Sequence, residues 1–407
     1  MQSICRWSVV GLVLLCPSVG SAAEIAEDAL DRARTELRDA VESGNVAGAV
    51  HLVARDGKTV YLEATGVRDI EGGEPFTPDT IIRIYSMTKP VTSVAAMTLF
   101  EAGKFELDDP VSRYIPAFAD MKVLEEGDDG VRFVSPERPL QVRDVFCHAT
   151  GYSYGGGNPH AREYYEREGM RYRPPAGMLP PELTIEKAAE SLARIPALHH
   201  PGERFTYGFN TDLLGRLIEV WSGKPLGEYM QEAVLAPLEM TDTGFSVPEQ
   251  KRDRFACCHT TRDGTLAVVD RAETSPFNDG FEFVSGGGGL VSTIRDYGNF
   301  CQMLVDGGEF NGNTVLKAET LRLMFADQLN GAAGDFRFGL GFAINDVEIR
   351  SGDNARKVPQ YSWGGYASTD FRVVPEEKLY QIVVRQHVPS SHGLANRLFR
   401  IVYTGVE

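Results

Sequence analysis

Strand-like segments occupy both ends of this 407-residue chain, and a long region of different character separates them. Near the start, residues 47–54 and 59–64 are rich in apolar and β-branched residues, and Asp56-Gly57 between them is a strong hairpin signal. Near the end, three further segments have the same character: 338–344, 369–374 and 379–386. One sheet can hold both groups only if the two ends of the chain come together. We therefore predict a single antiparallel sheet built from N- and C-terminal strands.

Helical periodicity marks most of the other ordered segments. Apolar residues recur at helical spacing in six of them: 24–42, 88–102, 182–193, 212–221, 293–305 and 393–403. The second is apolar on nearly every side, so we expect a buried helix there. These elements predict an α/β fold of the α+β type, in which helices flank the antiparallel sheet.

The middle of the chain predicts a second, helical and loop-rich subdomain. From residue 108 to residue 281, proline, glycine and short helical segments prevail. We expect this subdomain to sit on a sheet subdomain formed by residues 24–107 and 282–407. A cleft between the two subdomains is then the natural place for a ligand.

The first 23 residues have the pattern of a secretory signal peptide. Arg6 precedes an apolar run over residues 7–15, and small residues follow up to Ala23. The apolar run is shorter than the roughly 20 residues that a membrane-spanning helix needs. We therefore predict cleavage near Ala23, a periplasmic or secreted protein, and no stable membrane insertion. The cysteines beyond the signal are expected to be buried free thiols: Cys147, Cys257, Cys258 and Cys301.

Charge and motif content narrow the classes of ligand. With 41 basic and 57 acidic residues the chain carries a formal charge of −16, which argues against nucleic acid and anionic membranes as partners. The eight histidines show no metal-binding spacing, so no metal site is predicted. The glycine-rich segment 285–290 lacks the Lys-Ser/Thr ending of a phosphate-binding loop and predicts a tightly packed connection. No organic cofactor is implied, and the expected ligand is a small molecule.

The tetrapeptide Ser86-Met87-Thr88-Lys89 stands at the start of the predicted buried helix. Residues three apart on a helix share a face, so the hydroxyl of Ser86 and the amine of Lys89 can meet. The free N–H groups at a helix N-terminus favour a developing oxyanion. A serine needs a base to become a nucleophile, and a lysine can be that base only where burial or a second cation depresses its pKa. The element therefore indicates nucleophilic catalysis, although the tetrapeptide by itself recurs by chance.

Two other arrangements compete with it. Residues 151–155 match the nucleophile-elbow pattern around Ser153, but the expected strand before it and helix after it are missing, so we interpret the segment as a turn. A Ser-His-Asp triad also stays open, because such triads are assembled in space rather than in sequence. His148 and His387 are then the first candidates for the base.

Three motifs in order give the chain a family resemblance. Ser86-Met87-Thr88-Lys89 is followed by the stretch 201–215 around Tyr207, and then by Trp363-Gly364-Gly365-Tyr366. Together they resemble the serine β-lactamase and penicillin-binding protein superfamily, and most of all its class C branch and the family VIII carboxylesterases. The segments 140–155 and 236–245 are similar to that branch as well. The resemblance covers most of the chain and implies a β-lactamase/transpeptidase-like fold.

The resemblance also assigns roles. Ser86 matches the acylated serine, Lys89 its partner lysine, and Tyr207 the tyrosine that shares proton transfer with that lysine. The backbone N–H groups of Ser86 and Tyr366 match the oxyanion hole. The resemblance further implies substrate contacts from five residues: Trp363, Gly364, Gly365, Phe209 and Asn210.

Two departures from the superfamily pattern favour esters over β-lactams. Trp363 and Gly364 stand where β-lactam processors usually carry a cation and a hydroxyl for the antibiotic's carboxylate. Phe209 stands where an asparagine is usual, and Asn210 comes one position later. We therefore predict a carboxylesterase acting on a small-molecule ester through an acyl-Ser86 intermediate. A β-lactamase or D-amino-acid peptidase, an acyltransferase, and a catalytically inactive binding protein remain as alternatives.

Overall fold

The structure is a computed structural model that describes residues 24–128, 130–170, 183–278, 284–351 and 354–406. The predicted signal peptide lies outside the described residues. Within them, no helix is both long and apolar enough to cross a membrane. The predicted limits of the two subdomains stay a prediction.

A seven-stranded antiparallel sheet joins the two ends of the chain, as predicted. Its strand order is β11-β12-β13-β14-β15-β1-β2, and the central register pairs Leu52 with Ile382. The strands are β1 Gly48–Arg55, β2 Lys58–Gly66, β3 Ile82–Arg83, β4 Val123–Gly127, β5 Gly130–Val134, β6 Cys258–Arg262, β7 Thr265–Asp270, β8 Val291–Ser292, β9 Glu309–Phe310, β10 Asn313–Thr314, β11 Arg337–Phe338, β12 Ala343–Ser351, β13 Asn354–Gly365, β14 Thr369–Val374 and β15 Leu379–Val384. The strands outside the large sheet form four two-stranded ribbons.

Ten α-helices accompany these strands in the described part of the chain. They are α1 Glu27–Glu42, α2 Thr88–Glu101, α3 Val142–Phe146, α4 Pro159–Arg167, α5 Ile185–Arg194, α6 Asn210–Ser222, α7 Leu226–Met230, α8 Ile294–Val305, α9 Ala318–Met324 and α10 Gly393–Tyr403. Helices α1 and α10 pack on each other and on one face of the sheet, while α8 packs on the opposite face. The mixed helix and antiparallel-sheet fold is therefore the predicted one.

The predicted segment 338–344 is wrong as a single strand. The chain turns there instead, between the short β11 and the long β12. Gly341 adopts a φ of +98°, a conformation that residues with a side chain rarely take, and this allows the tight reversal. The turn is what brings β11 alongside β12, with Phe338 opposite Ala343.

Helix α2 forms the centre of the core beneath the cleft. Nearly all of its side chains are buried, including Thr88, Lys89 and Thr92, which confirms the prediction from its apolar surface. It packs against α6 of the middle region, so a single buried element connects the large sheet's side of the molecule with the helical region. The cysteines Cys147, Cys257, Cys258 and Cys301 are buried free thiols, as expected.

Candidate active site

Ser86 lies at the junction between two helical geometries. A 3₁₀ turn, Tyr85–Met87, leads directly into α2. Tyr85 has a φ of +42°, an unfavourable conformation for a residue with a side chain, and such strain is common beside functional groups. Ser86 itself remains partly exposed although both of its neighbours are buried. The chain therefore presents one hydroxyl at the surface of an otherwise closed core.

Lys89 lies one turn along the helix and is almost fully buried, with 1 % of its surface exposed. Its ammonium donates hydrogen bonds to Ser86 Oγ at 3.2 Å, to the Tyr154 hydroxyl at 3.0 Å and to the Gly287 carbonyl at 2.5 Å. Three partners match the three hydrogens of an ammonium group. The predicted Ser86–Lys89 contact is thus present, and two further groups fix the amine in place.

Tyr207 completes the arrangement around the serine. Its hydroxyl donates to Ser86 Oγ at 2.6 Å, and the Lys89 amine lies 4.7 Å from the centroid of its ring. The ring packs between His148, at 5.0 Å between centroids, and Trp363, at 5.4 Å. Residues far apart in sequence therefore converge on one oxygen atom. Whichever of the Lys89 amine and the Tyr207 hydroxyl is unprotonated is placed to accept the serine proton.

The glycine-rich segment is a wall of this site, a role that its sequence did not reveal. The buried Asp212 carboxylate accepts hydrogen bonds from Ser285 Oγ at 2.6 Å and from Gly287 N at 3.1 Å. A Cβ atom at position 287 would lie 2.6 Å from that carboxylate, so glycine is needed there. Burial raises the pKa of the Asp212 carboxyl, against which the Ser285 hydrogen bond and the nearby Lys89 charge act. This arrangement aims the Gly287 carbonyl at the lysine.

Tyr154 is the other group that sequence reasoning missed. The turn 151–155 is indeed not a nucleophile elbow, because Ser153 Oγ donates to the Gly156 carbonyl at 2.9 Å and accepts from Gly155 N at 3.2 Å. The same turn nevertheless delivers the Tyr154 hydroxyl to Lys89. No sequence motif marks Tyr154 for this role. It belongs to the site because the fold places the turn 151–155 beside Lys89.

The end of β13 closes against the segment that carries the nucleophile. A Cβ atom at Gly365 would lie 2.4 Å from the Ile84 carbonyl oxygen, so only glycine allows this approach. Tyr366 follows directly, and its ring meets that of Tyr85 edge to face at 5.8 Å. The geometry therefore brings Tyr366 next to the Ser86 segment, where the predicted oxyanion hole requires it.

A cavity of about 450 Å³ opens over Ser86. Its walls include six of the residues predicted for the site: Ser86, Tyr207, Trp363, Gly364, Gly365 and Tyr366. Polar residues of β14 and of the start of α10, which were not predicted from the sequence, line it too. The predicted site residues are thus largely brought together in one cleft.

Phe209 and Asn210 lie behind this cleft rather than on its surface. Phe209 is 2 % exposed and packs edge to face against Tyr154 at 4.7 Å. Asn210 is fully buried, and its amide donates to the carbonyls of Tyr152 at 3.2 Å and Thr206 at 3.1 Å. Both residues therefore support the site from beneath. The geometry does not support the substrate contacts predicted for them.

The alternative histidine bases have other surroundings. His148 is 1 % exposed and lies among the rings of Phe205, Tyr207 and Phe338. Burial, with the Lys89 charge as a second cause, lowers the pKa of His148 well below its usual value. His387 is half-buried, and its pKa is lowered chiefly by burial. Among the residues described, neither histidine is hydrogen-bonded to Ser153 or Ser86, so the geometry favours the Lys89–Tyr207 arrangement.

Known proteins similar to this chain include two sequence relatives and one solved structure. The chain is 32% identical over 378 residues to Protein Rv1367c of Mycobacterium tuberculosis, covering 88% of this chain and 90% of the relative. It is 28% identical over 415 residues to the monacolin J acid methylbutanoyltransferase of Aspergillus terreus, covering 93% and 95%. The solved structure of EstCE1, described as a hydrolase with promiscuous acyltransferase activity, matches with a TM-score of 0.75 at 25% identity, covering 93% of this chain and 98% of EstCE1.

A family model settles the relationship that the three motifs suggested. The model described as Beta-lactamase matches residues 33–402, which include the nucleophile segment, the tyrosine segment and the end of β13. Two of the similar proteins named above are described as a methylbutanoyltransferase and as a hydrolase with promiscuous acyltransferase activity. The chain belongs to the β-lactamase family.

Proposed function

We propose that this protein is a carboxylesterase that cleaves small-molecule esters through an acyl-Ser86 intermediate. The contact that carries the proposal is the pair of hydrogen bonds at Ser86 Oγ, 2.6 Å from the Tyr207 hydroxyl and 3.2 Å from the Lys89 amine. A serine hydroxyl attacks a carbonyl only when a neighbouring base removes its proton. Here two such groups touch the same oxygen at the floor of an open cleft.

The reaction follows from these contacts. Ser86 Oγ bonds to the ester carbonyl carbon while its proton passes to Tyr207 or Lys89, one of which must start unprotonated. The backbone N–H groups of Ser86 and Tyr366 stabilise the oxyanion, and each such donor is typically worth about 2.7–4 kcal/mol. The alcohol then leaves with the proton from the same pair. Water then attacks the acyl carbon while its proton passes to the same pair. The acid is released and Ser86 regains its proton.

The choice of ester over lactam rests on the third motif. Trp363 and Gly364 line the cavity at the position where β-lactam processors of this family usually offer a cation and a hydroxyl. The indole of Trp363 packs on the Tyr207 ring and on Phe338, at 5.4 Å and 5.2 Å between centroids, which makes this wall apolar. An apolar wall suits the organic part of an ester better than a carboxylate.

An acyltransferase is the second candidate, because the acyl-enzyme does not dictate its acceptor. Two proteins similar to this chain are described in those terms, a methylbutanoyltransferase and a hydrolase with promiscuous acyltransferase activity. A cleft of about 450 Å³ has room for an alcohol in place of water. Adding a primary alcohol to the ester assay separates the two: a transferase yields the new ester faster than the free acid.

The test is an assay with p-nitrophenyl acetate and butyrate across about pH 6 to about pH 10, because general-base catalysis makes turnover depend on pH. We expect a burst of nitrophenol followed by steady turnover, and an acyl adduct on Ser86 by mass spectrometry. Absence of both burst and turnover contradicts the proposal. Nitrocefin hydrolysis as fast as that of the best ester assigns a β-lactamase instead. We also propose, from the N-terminal pattern, that the enzyme acts in the periplasm or outside the cell.

A further inference from the structure

The cavity over Ser86 continues past the nucleophile and around the edge of β13. Its far wall is formed by polar side chains from β14 and from the start of α10: Asp370, Arg372, Ser390, His392 and Asn396. None of these belongs to the three motifs. The cleft therefore has a polar compartment in addition to the apolar wall at Trp363.

Gly364 is the reason that the two parts are continuous. A Cβ atom at this position would lie 2.8 Å from His392 Cε1 and 3.0 Å from Asp370 Oδ1. A side chain here would displace the imidazole or block the passage around the strand. The glycine in the third motif thus makes room for a histidine that comes from a different element.

His392 is held by a buried carboxylate. Its Nδ1 lies 2.9 Å from both Asp370 oxygens, Asp370 is 7 % exposed, and 43% of the histidine side chain is exposed. Nε2 forms no hydrogen bond within the described part of the protein, so it is free to meet a ligand in the cavity. The hydrogen bond that His392 donates to Asp370 raises the pKa of His392, which favours the imidazolium form.

Positive charge exceeds negative charge around this compartment. Arg372 bonds to the neutral side chain of Asn396 and lies over the Phe399 ring at 4.4 Å. Arg385 is 5 % exposed and bonds to the Ser391 carbonyl. Neither arginine has a salt bridge to a carboxylate among the residues that the structure describes.

Asp370 is the carboxylate that acts on His392, Arg372 and Arg385 alike, and burial raises the pKa of its carboxyl. With the histidine protonated, three cations face one carboxylate. The chain as a whole is strongly acidic, at a formal charge of −16. A local surplus of buried and half-buried positive charge in such a protein needs an anion to balance it when water is displaced.

We propose that the Ser86 cleft selects esters whose alcohol portion carries an anionic group, with His392 as the specificity-determining residue and Arg372 in support. The leaving alcohol takes its proton beside Tyr207, whose ring packs on that of Trp363. His392 meets the strand at the next residue, Gly364, so we assign the anion site to the alcohol side. An imidazolium and a guanidinium both form charge-assisted hydrogen bonds to carboxylate or phosphate oxygens. The inference rests on the proposed esterase function and narrows its substrate class.

The test uses three acetate esters that share a phenyl acetate core and differ in charge: 3-acetoxybenzoate, phenyl acetate and 3-acetoxy-N,N,N-trimethylanilinium. The purified enzyme should show the highest kcat/KM with the anionic ester and the lowest with the cationic one, with about tenfold between anionic and neutral at low salt, as one charge-assisted hydrogen bond allows. His392→Gln should reduce the anionic-to-neutral ratio to near one. Arg322→Gln is the matched control, because this exposed cation on α9 pairs with Glu319 and does not line the Ser86 cavity.

The pH dependence gives a second readout. The anionic preference should decline as pH rises through the pKa of His392, because the imidazolium is lost there. Asp370 and Arg372 on β14 and Arg385 after β15 face this imidazole. The arginines remain charged over this range, so the decline reports the imidazole itself. His392→Gln should remove that pH-dependent part and leave the ratio flat.

Direct binding separates failure of this inference from failure of the proposed function. Ser86→Ala should bind 3-hydroxybenzoate more tightly than phenol, with shifts of the His392 imidazole resonances on binding. The additional substitution His392→Gln should abolish that difference in affinity, measured by calorimetry. Even if no ester is hydrolysed, this difference in binding shows whether the cleft has an anion site. Equal rates with the anionic and cationic esters, or a preference that survives His392→Gln, overturns the inference.

Discussion

Replacing Tyr207 by phenylalanine removes the one oxygen atom that lies closest to the nucleophile. The tyrosine hydroxyl is 2.6 Å from Ser86 Oγ, so its loss deletes a proton acceptor and leaves Lys89 at 3.2 Å as the remaining one. Loss of a general base typically lowers kcat by about 10²–10⁴-fold, which is about 2.7–5.4 kcal/mol of transition-state stabilisation. The ring keeps its contacts with His148 and Trp363, so the free energy of unfolding should change by no more than about 1 kcal/mol.

Tyr154→Phe is the matched control for that substitution. It also deletes one tyrosine hydroxyl at the site, but this hydroxyl touches Lys89 at 3.0 Å and not Ser86. The lysine keeps its bonds to Ser86 and Gly287. One hydrogen bond has a net value of about 0.5–1.5 kcal/mol, so we expect kcat to fall only about 2- to 10-fold.

The assay measures steady-state turnover and the nitrophenol burst with p-nitrophenyl butyrate for the wild type and both variants. Thermal unfolding followed by circular dichroism establishes that each variant is folded. The reasoning is wrong if Tyr207→Phe keeps kcat within about threefold of the wild type, or if Tyr154→Phe is the more damaging change. In either case the lysine acts without Tyr207, and the 2.6 Å contact has a structural role.

Three further predictions concern separate parts of the molecule. Ser86→Ala should abolish labelling by a fluorophosphonate, whereas Ser153→Ala should keep it, since the Ser153 hydroxyl is bound to its own turn; peptide mapping of the adduct decides. Gly365→Ala should lower kcat/KM by about 100-fold in a folded protein, because its Cβ would lie 2.4 Å from the Ile84 carbonyl and push the strand away from the nucleophile. Asp242→Asn should destabilise the protein at neutral pH and lose this effect on acidification. Arginine and lysine hold the pKa of Asp242 at about 2, below its unfolded value. The contribution of Asp242 to stability is therefore present above the unfolded pKa and disappears as pH falls through about 2. Urea unfolding at a series of pH values measures it.

Local patterns were sufficient to predict most elements of the fold. The Asp56-Gly57 hairpin and α10 follow from turn chemistry and from apolar spacing, which act over a few residues. The segment 338–344 failed because its apolar residues continue through a turn that depends on Gly341, and periodicity alone cannot place a reversal inside an apolar run. The antiparallel sheet was predictable because strands at both ends leave few other ways to bury their apolar faces.

The site divides in the same way. Ser86 and Lys89 are one helical turn apart, so their contact at 3.2 Å is a local consequence of the sequence. Tyr154 and Gly287 reach the same lysine from distant loops, and no spacing rule connects them to it. Asn210 is the reverse case, a residue that the sequence selected and the structure does not place at the site. Its position in the tyrosine motif suggested a substrate contact, but Asn210 is fully buried and its amide bonds to backbone carbonyls.

The same distinction changes how the third motif is interpreted. From the sequence, Trp363 and Gly364 meant that the cleft lacks a cation, because the usual cation is missing at those positions. In the structure, the absence of a side chain at Gly364 is what admits the imidazole of His392 to the cleft. The strand lacks the usual cation, and His392 at the start of α10 supplies one instead. The positive charge therefore lies on the other side of the strand edge. A substrate carboxylate that would meet a cation on the strand will not reach a cation at the start of α10. The two arrangements should therefore select different substrates, even though Ser86, Lys89 and Tyr207 are arranged for one acyl-transfer reaction.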